Sequence, residues 1–554
     1  MRGGRTTGVR GVPDLGVPEG RAEPIRSAAR RLLHAALMNV LLASAAYAST
    51  LYVPADHASI QAAINAATHG DTIIVAAGTY FEHIDFGGKA IEVLGESGPD
   101  QTIVDGSGSG TVVRFASGET PSSRLSGFTI RNGRGVQEGA GIYVFGSAPT
   151  ITGNWITGNQ GCEGSGIYVR FASPIIRGNT ITDNHRTTCF GGGGGGGISL
   201  SGAGGAQVLD NDISYNVVLS GAAGGIEVFG AGAAIIRGNV LRGNSTGGEG
   251  GAMWIVGPST PLVANNLIVG NSAVQAGGGI SIAMFSGTDR PILANNTFVE
   301  NVSVDGSALF VNGFDDDAVI ANNVIIGIDD REAVSCGTRY QPTAPVFRFN
   351  DVYNPWGPLY GGTCGDLTGV ASNVSVDPLF VDAAGGDYHL HSESPLVDAG
   401  SNAVVQLLET DFDGDSRILD GDGVGEAVVD MGFDEVARGI MSFATLTSKT
   451  RITRRGVGRD RIVIRGTFTV AASSSGIALQ IEQLQLVLED GSATVFRYEP
   501  PPASFVRLGS GERYGSTTSN GQCRRLYHHR RREIARRVQV PNPRARSTTQ
   551  FGPQ

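Results

Sequence analysis

Asparagine recurs along the middle of this chain at a spacing that few folds can use. The series Asn154, Asn179, Asn211, Asn239, Asn266, Asn296 and Asn323 is spaced like a structural repeat, close to but not strictly periodic. Five positions after each of the first six stands a second asparagine: Asn159, Asn184, Asn216, Asn244, Asn271 and Asn301. One repeat earlier, Gly127 takes the first position and Asn132 the second. Short apolar segments keep fixed offsets to this series. Ile175-Ile176 lies ahead of a first asparagine, Trp155-Ile156 lies between a pair, and Ile167-Tyr168-Val169 and Ile280-Ser281-Ile282 follow glycines.

Three short strands per repeat are too few residues for a propeller blade of about 40. β-Branched residues and glycine disfavour a pair of helices. The repeat therefore reads as one coil of an all-β, right-handed parallel β-helix. Each strand would pair with its equivalent in the next coil at about 4.8 Å. Inward Ile, Val and Leu would stack into a continuous core. Asparagine suits the corner for two reasons: it tolerates the left-handed conformation, and its amide can bond to the coils above and below. Asparagines used in this way leave any chemistry to the loops between them.

A solenoid must cover its ends. Ser59 is placed to cap a short amphipathic helix, Ile60 to Ile64, ended by Gly70 and serving as the amino-terminal lid. Strands over Thr72–Val75 and Ala90–Leu94 follow. Val53-Pro54-Ala55-Asp56, the Ser59-to-Ile64 run, Gly70-Asp71-Thr72-Ile73 and Gly78-Thr79-Tyr80 resemble the opening of bacterial pectin-lyase-like parallel β-helix repeat proteins. With the asparagine coils, the resemblance extends from Leu51 to about Ile328. It implies the solenoid fold and specifies an activity poorly. Asp377-Pro378-Leu379-Phe380, Asp387-Tyr388-His389-Leu390, Asp398-Ala399-Gly400 and Asp430-Met431-Gly432-Phe433-Asp434-Glu435 resemble the closing segment of bacterial surface β-helices described as a variable-anchor domain. That resemblance implies a surface-attached protein and a carboxy-terminal cap on the stack.

The chain divides accordingly. Residues 1–48 read as a leader and signal peptide: Arg26, Arg30 and Arg31 precede an apolar run, and Ala46-Tyr47-Ala48 gives a small-x-small cleavage site near Ala48. Residues 49–376 form the β-helix and 377–437 the closing segment. Residues 438–514 form a small β-sandwich, with strands expected over Arg461–Val470 and Leu479–Leu488 and a hairpin turn at Asp490-Gly491. Residues 515–554 read as a disordered basic tail. No other run approaches the roughly 20 apolar residues of a membrane span, so the mature protein is expected to be secreted or held at the cell surface.

The net charge of −10 conceals acidic character in the body of the chain. The leader holds seven Arg against three acids, and the basic tail holds nine Arg against Glu533. With both ends set aside, acids outnumber bases in the remaining chain by nearly two to one. An acidic body argues against nucleic-acid binding and suits calcium or neutral or cationic partners. Lys89 and Lys449 are the only lysines, which is read as codon bias. Export permits disulfides, and the spacing favours Cys162 with Cys189 and Cys336 with Cys364, leaving Cys523 over.

The search for chemistry starts from polysaccharides, because many proteins of the resembling fold act on polyuronates. The matching hydrolases carry Asn-Thr-Asp, Gly-His-Gly and Arg-Ile-Lys segments. Here Asn179-Thr180 runs into Ile181 and the other two are absent. Asp315-Asp316-Asp317 reads as an exposed acidic turn. Arg170, Arg177, Arg237, Arg242 and His185 are the candidate bases for a lyase, with solvated surface charge as the competing reading. Gly191 to Gly197 reads as a flexible loop without the lysine of a phosphate loop. The sharpest motif is Asp411-Phe412-Asp413-Gly414-Asp415 with Asp422, whose spacing resembles dockerin-type calcium loops. It lacks a glycine at the sixth position, and a polar turn of the closing segment competes with it. The functional expectation is a polysaccharide-facing or cell-envelope binding scaffold. The alternative is a polysaccharide lyase, epimerase or glycoside hydrolase acting on uronate-type polymers, recognisable by two carboxylates and a cation converging in a cleft.

Overall fold

The computed structural model describes residues 48–186, 194–284, 290–313, 318–337, 345–404, 408–421 and 426–436, and beyond these the backbone of six further strands between Phe443 and Ser516. The expected leader, Cys189, Asp315 to Asp317, Asp422, Cys523 and the basic tail after Ser516 lie outside the described residues.

The coil has four strands where three were expected in its middle section. One turn runs Thr150–Thr152 (sheet A), Trp155–Thr157 (sheet B), Gln160–Glu163 (sheet C) and Ile167–Arg170 (sheet D), then enters sheet A again at Ile175–Arg177. Among the described residues, sheet A has twelve strands, sheets B and D eleven each, and the short sheet C six, every ladder parallel and in coil order. Inward residues stack in register: Ile151 on Ile176 on Val208 in sheet A, and Ile156 on Ile181 on Ile213 in sheet B. Sheet D contributes two inward residues per strand, such as Ile167 with Val169 and Ile198 with Leu200. All of these are fully buried, in one core running from Val53 to Cys364.

The corners explain the asparagines. Asn154 N–H and Nδ2 both donate to Asn179 Oδ1, Asn179 does the same to Asn211, and the ladder continues through Asn239, Asn266, Asn296 and Asn323 to Asn350 and Asn373. A second ladder runs from Asn159 to Asn301. The left-handed conformation belongs to the preceding residue: Gly153, Gly178, Asp210, Gly238, Asn265, Asn295, Asn322 and Phe349 all have positive φ. The two reasons given for asparagine thus separate. Its amide serves the ladder, and its neighbour makes the turn. The first coil is also displaced by one residue. Phe128 and Gly133 donate into Asn154 and Asn159, while Asn132 has positive φ and bonds to Asp105 instead.

The amino-terminal lid is helix α1 (Ile60–Ala66), which buries Ile60, Ala63 and Ile64. Ser59 Oγ accepts from Ala62 N–H, and the Glu82 carboxylate takes the N–H groups of Ile60 and Gln61. At the other end, Lys89 Nζ donates to the carbonyls of Ile64, Asn65 and Ala67. The helix therefore ends on a lysine ahead of Gly70, and Lys89 has a structural task that codon bias does not describe. Helix ends leave such groups unpaired, and here two chain segments from the next coil satisfy them.

The closing segment does not sit on the end of the stack. Cys336 and Cys364 are joined by a disulfide, and Leu359 and Leu367 pack against the core there. Residues 377–436 instead run back along the side as a strap. Asn265 Nδ2 donates to Thr410 O, Asn295 Nδ2 to Asp430 O and Asn322 Nδ2 to Ser401 O. Tyr388 and Phe433 cover Leu267, Val269 and Val299, and Leu396 and Met431 cover Val324. These solenoid residues occupy outward positions that hold Thr180, Thr182, Asp212 and Arg242 in earlier coils. Beyond the strap, Phe443–Thr453 pairs antiparallel with Arg461–Val470, and Leu486–Asp490 pairs with Ala493–Tyr498. The side chains that would make a sandwich of them lie outside the described residues.

Replacing Asn211 with Ala removes the acceptor for Asn179 N–H and Nδ2 and one of the two donors to Asn239 Oδ1, all buried. Denaturant unfolding should show a loss of about 3 kcal/mol or more. The same change at Asn65, exposed on the lid helix, should cost less than about 1 kcal/mol.

Candidate functional site

Two places bring charged and aromatic side chains together outside the core. The first is the outer face of sheet D. Second-position residues of its strands form a column in register: Arg114, Tyr143, Tyr168, Ser199, Glu227, Trp254 and Ser281. Fourth-position residues form another, from Phe145 and Arg170 through Ser201 to Phe229. The chain between sheets C and D folds back against this face. At Gly195 an added Cβ would meet Ser199 Cβ at 2.9 Å, and at Gly250 it would meet Trp254 Cβ at the same distance. Gly194 to Gly197 are thus part of a packed return, with Gly194 held against the Ala222 carbonyl.

This return half-covers the first column. Glu227 is 4% exposed and accepts from Ser199 Oγ (2.6 Å) and Gly194 N–H (3.1 Å). Burial pushes its carboxyl above the ordinary carboxylate range. Arg186, also buried, donates to the carbonyls of Cys162 and Ser220. Cys162 is itself disulfide-bonded. His185, by contrast, is exposed.

Towards the amino-terminal coils the face opens. Tyr143 stacks on Tyr168 (6.0 Å between ring centres) and on Phe145 (6.4 Å), and the Arg114 guanidinium lies 5.1 Å over the Tyr143 ring. Arg170 bonds to Glu138 at 3.0 Å and lies 5.2 Å over the Phe171 ring. Phe171 adopts positive φ (47°), and its ring lies where a Cβ on Gly202 would stand, 2.6 Å from the nearest ring atom. A bulky residue held in that region costs energy. It leaves Phe171 61% and Phe145 40% exposed.

The second place lies where the strap meets the corner between sheets A and B. Arg177 and Arg237 stand in register two coils apart, with Leu209 between them. With Asp210, Gly238 and the strap loop Thr410 to Gly414 they line a cavity of about 230 Å³. Two residues that the sequence left as scattered surface charge therefore converge. Arg242 and Arg170 are elsewhere. Among the described residues, Asp411, Asp413 and Asp415 are not brought together as one ligand group. The Asp411 carboxylate accepts N–H from Gly414, Asp415 and Glu435, which makes it the organiser of the turn. Asp413 points to His389 Nε2 at 3.4 Å, Asp415 is exposed, and Asp422 lies outside the described residues. The groups that do approach one another are His389, Asp413 and Asp434, with ligand atoms within 4.8 Å. An imidazole among two carboxylates is not the all-oxygen set that calcium takes.

Charge holds this part of the strap. His389 lies between Asp413 and Asp387 (2.5 Å to Nδ1), and hydrogen bonding to these carboxylates pushes its pKa up to about 9. Burial pushes Asp434 up to about 8 and Asp430 up to about 6. Arg417 is fully buried with its Nε 3.3 Å from Glu435. The raised His389 value stabilises the folded strap below about pH 6.5, and that contribution is lost as pH rises through about 9. The raised acids act in the same direction, since the folded state binds the extra protons. Protection factors over residues 377–436, with the intrinsic base-catalysed rise in exchange divided out, should therefore fall between pH 7 and pH 10, with the His389 ring titrating near 9. A His389 midpoint near 6.5 would contradict this account.

Residues 100–298 and 196–368 match the sequence model of the family described as right handed beta helix region. No curated protein matches the sequence. Among solved structures, a pectin methylesterase mutant in complex with a hexasaccharide aligns at 11% identity over 62% of this chain and 95% of its own, with a TM-score of 0.22. No residue of that enzyme is carried over from so slight a likeness. No helix among the described residues is long and apolar enough to cross a membrane. Strand pairing and sequence model agree over residues 100–368, which make up a right-handed β-helix region.

Proposed function

We propose that the protein is an exported, surface-held β-helix that binds polysaccharide along the outer face of sheet D. The observation that carries this reading is the open ring cluster of Tyr143, Phe145 and Phe171, flanked by Arg114, Arg170 and Glu138. Exposed aromatic surface rimmed by polar groups marks an interaction site. A sugar ring offers an apolar C–H face for stacking and hydroxyls at its edge for charged partners. Parallel strands repeat about every 4.8 Å, so an extended polymer lying across them meets equivalent positions coil after coil. The carboxylate-rich body disfavours nucleic acid as an alternative polymer.

A second reading, a uronate-polymer lyase, epimerase or hydrolase, has Glu227 in its favour. A buried carboxyl with a raised pKa on the same face is a candidate proton donor. The binding reading is tested by affinity electrophoresis in gels containing uronate and neutral polysaccharides. The double variant Tyr143→Ala, Phe171→Ala should lose about tenfold or more in retardation while keeping its melting temperature. Unchanged retardation in the variant would remove the assignment of the face. New reducing ends or unsaturated product, abolished by Glu227→Gln, would move the conclusion from scaffold to enzyme.

A further inference from the structure

We propose that His389, Asp413 and Asp434 form a three-ligand site for a zinc-class divalent cation that staples the strap together beside the corner cavity. The three residues come from stretches distant along the strap: the strand Asp387–Leu390, the loop Thr410 to Gly414, and the segment at Phe433. Their ligand atoms all lie within 4.8 Å of one another. The imidazole is already held in place. Its Nδ1 lies 2.5 Å from Asp387 Oδ1, the oxygen that also accepts the His389 backbone N–H, and its ring packs 5.2 Å from that of Phe433. A histidine that donates through Nδ1 to a carboxylate presents Nε2 as a bare nitrogen, the arrangement that stands behind metal-bound imidazoles. Here Nε2 is buried and 3.4 Å from Asp413 Oδ2, beyond the separation of about 2.7–2.9 Å of a charge-assisted hydrogen bond.

Asp434 points to a cation on separate grounds. It is 9% exposed, yet its carboxylate accepts no hydrogen bond from a described residue, and it abuts the carboxylate of Asp411. A buried carboxylate without donors is costly, and a second carboxylate beside it raises the cost. The nearby cations are committed elsewhere or out of reach. Arg417 is tied to Glu435 and Arg177 to Asp210, and among the described residues Arg237 makes no ion pair with a strap carboxylate. Asp387, Asp411, Asp413 and Asp434 thus stand around a single imidazole.

The donor set selects the ion. Calcium takes six to eight oxygens, whereas imidazole with carboxylate suits zinc and its neighbours. Ligand bonds of about 2.0–2.1 Å at the tetrahedral angle place two ligand atoms about 3.3–3.4 Å apart. The Nε2-to-Oδ2 distance of 3.4 Å is that edge. Carboxylate rotation by roughly 1.5 Å closes the widest separation in the group. The Asp413 side chain is 55% exposed, which gives an ion its way in from solvent. Three protein ligands leave the fourth position to water.

The test is calorimetric titration of the full chain, first stripped with EDTA, with Zn²⁺ and with Ca²⁺. One zinc ion should bind per chain, about tenfold or more tightly than calcium. His389→Gln and Asp434→Asn should each weaken zinc about a hundredfold or more, and Asp387→Asn, which only orients the ring, about tenfold. Asp413→Asn changes an exposed side chain and leaves the strap folded, so its expected loss of about tenfold is read without unfolding. Co²⁺ in place of zinc should give the intense visible absorption of a tetrahedral site. Free zinc at about 100 times its dissociation constant should raise hydrogen-exchange protection over residues 377–436 about a hundredfold. In the metal-free protein the same ring is free to titrate. Absence of zinc binding, tighter binding of calcium, or zinc affinity unchanged by both His389→Gln and Asp434→Asn each overturns the proposal. None of these outcomes depends on Tyr143 or Phe171, so the metal site and the sheet D face stand or fall separately.

Discussion

From Asn154 to Asn301 each coil turns its backbone through the same two asparagine corners, out of reach of water. Buried amide groups must find partners. Here one side chain per corner supplies them for its own coil and the one before, with Asn211 Oδ1 receiving two donors from Asn179 and its amide serving both Ile176 O and Asn239. This arrangement makes the coils interchangeable at the corner and free to vary elsewhere. The spacing between successive ladder asparagines can therefore differ from coil to coil, shorter from Asn154 to Asn179 than from Asn179 to Asn211, without disturbing the core. The surplus is taken up between sheets C and D.

That freedom is where the exposed aromatic surface and the corner cavity arise. Gly194 to Gly197 fold back over sheet D beside Glu227, while the rings of Tyr143, Phe145 and Phe171 stay open at the earlier coils. At the opposite side the ladder turn tolerates a non-glycine residue before the asparagine. Asn265, Asn295 and Asn322 use that position to hold the strap through their side-chain amides. Asp210 uses it to pair with Arg177. The same left-handed position thus makes the turn, anchors the closing segment and places a carboxylate in a cavity.

The fold was legible because its cause is local and periodic: an asparagine at a fixed offset from short apolar strands. The fourth strand was not, since Gln160–Glu163 and His185–Arg186 are polar and carry no alternating pattern. The placement of the strap does leave a signal in the sequence. Outward positions turn apolar at Leu267, Val269, Val299, Val324 and Ile326, which on a solvent-facing sheet means that something covers them. Asp411 gives its oxygens to backbone N–H groups, a use that sequence spacing does not distinguish from metal ligation. Convergence of Arg177 and Arg237 required the register of sheet A together with a loop from the closing segment, distant along the chain.

The strap also changes what the solenoid can do. A bare stack presents flat sheets whose charges are spread along the axis, which is what the sequence alone suggests for a scaffold. Folding residues 377–436 against the corner adds a second wall, and a second wall turns in-register arginines into a cavity. The strap is held there by His389 between two carboxylates and by the fully buried Arg417 on Glu435, beside the apolar packing of Leu408, Tyr388, Phe412, Val429 and Phe433. Charged contacts of this kind are geometrically exacting and contribute little net stability. They fix the position of the Thr410-to-Gly414 loop more than they strengthen the fold, and that position is what closes the cavity against Arg177 and Arg237.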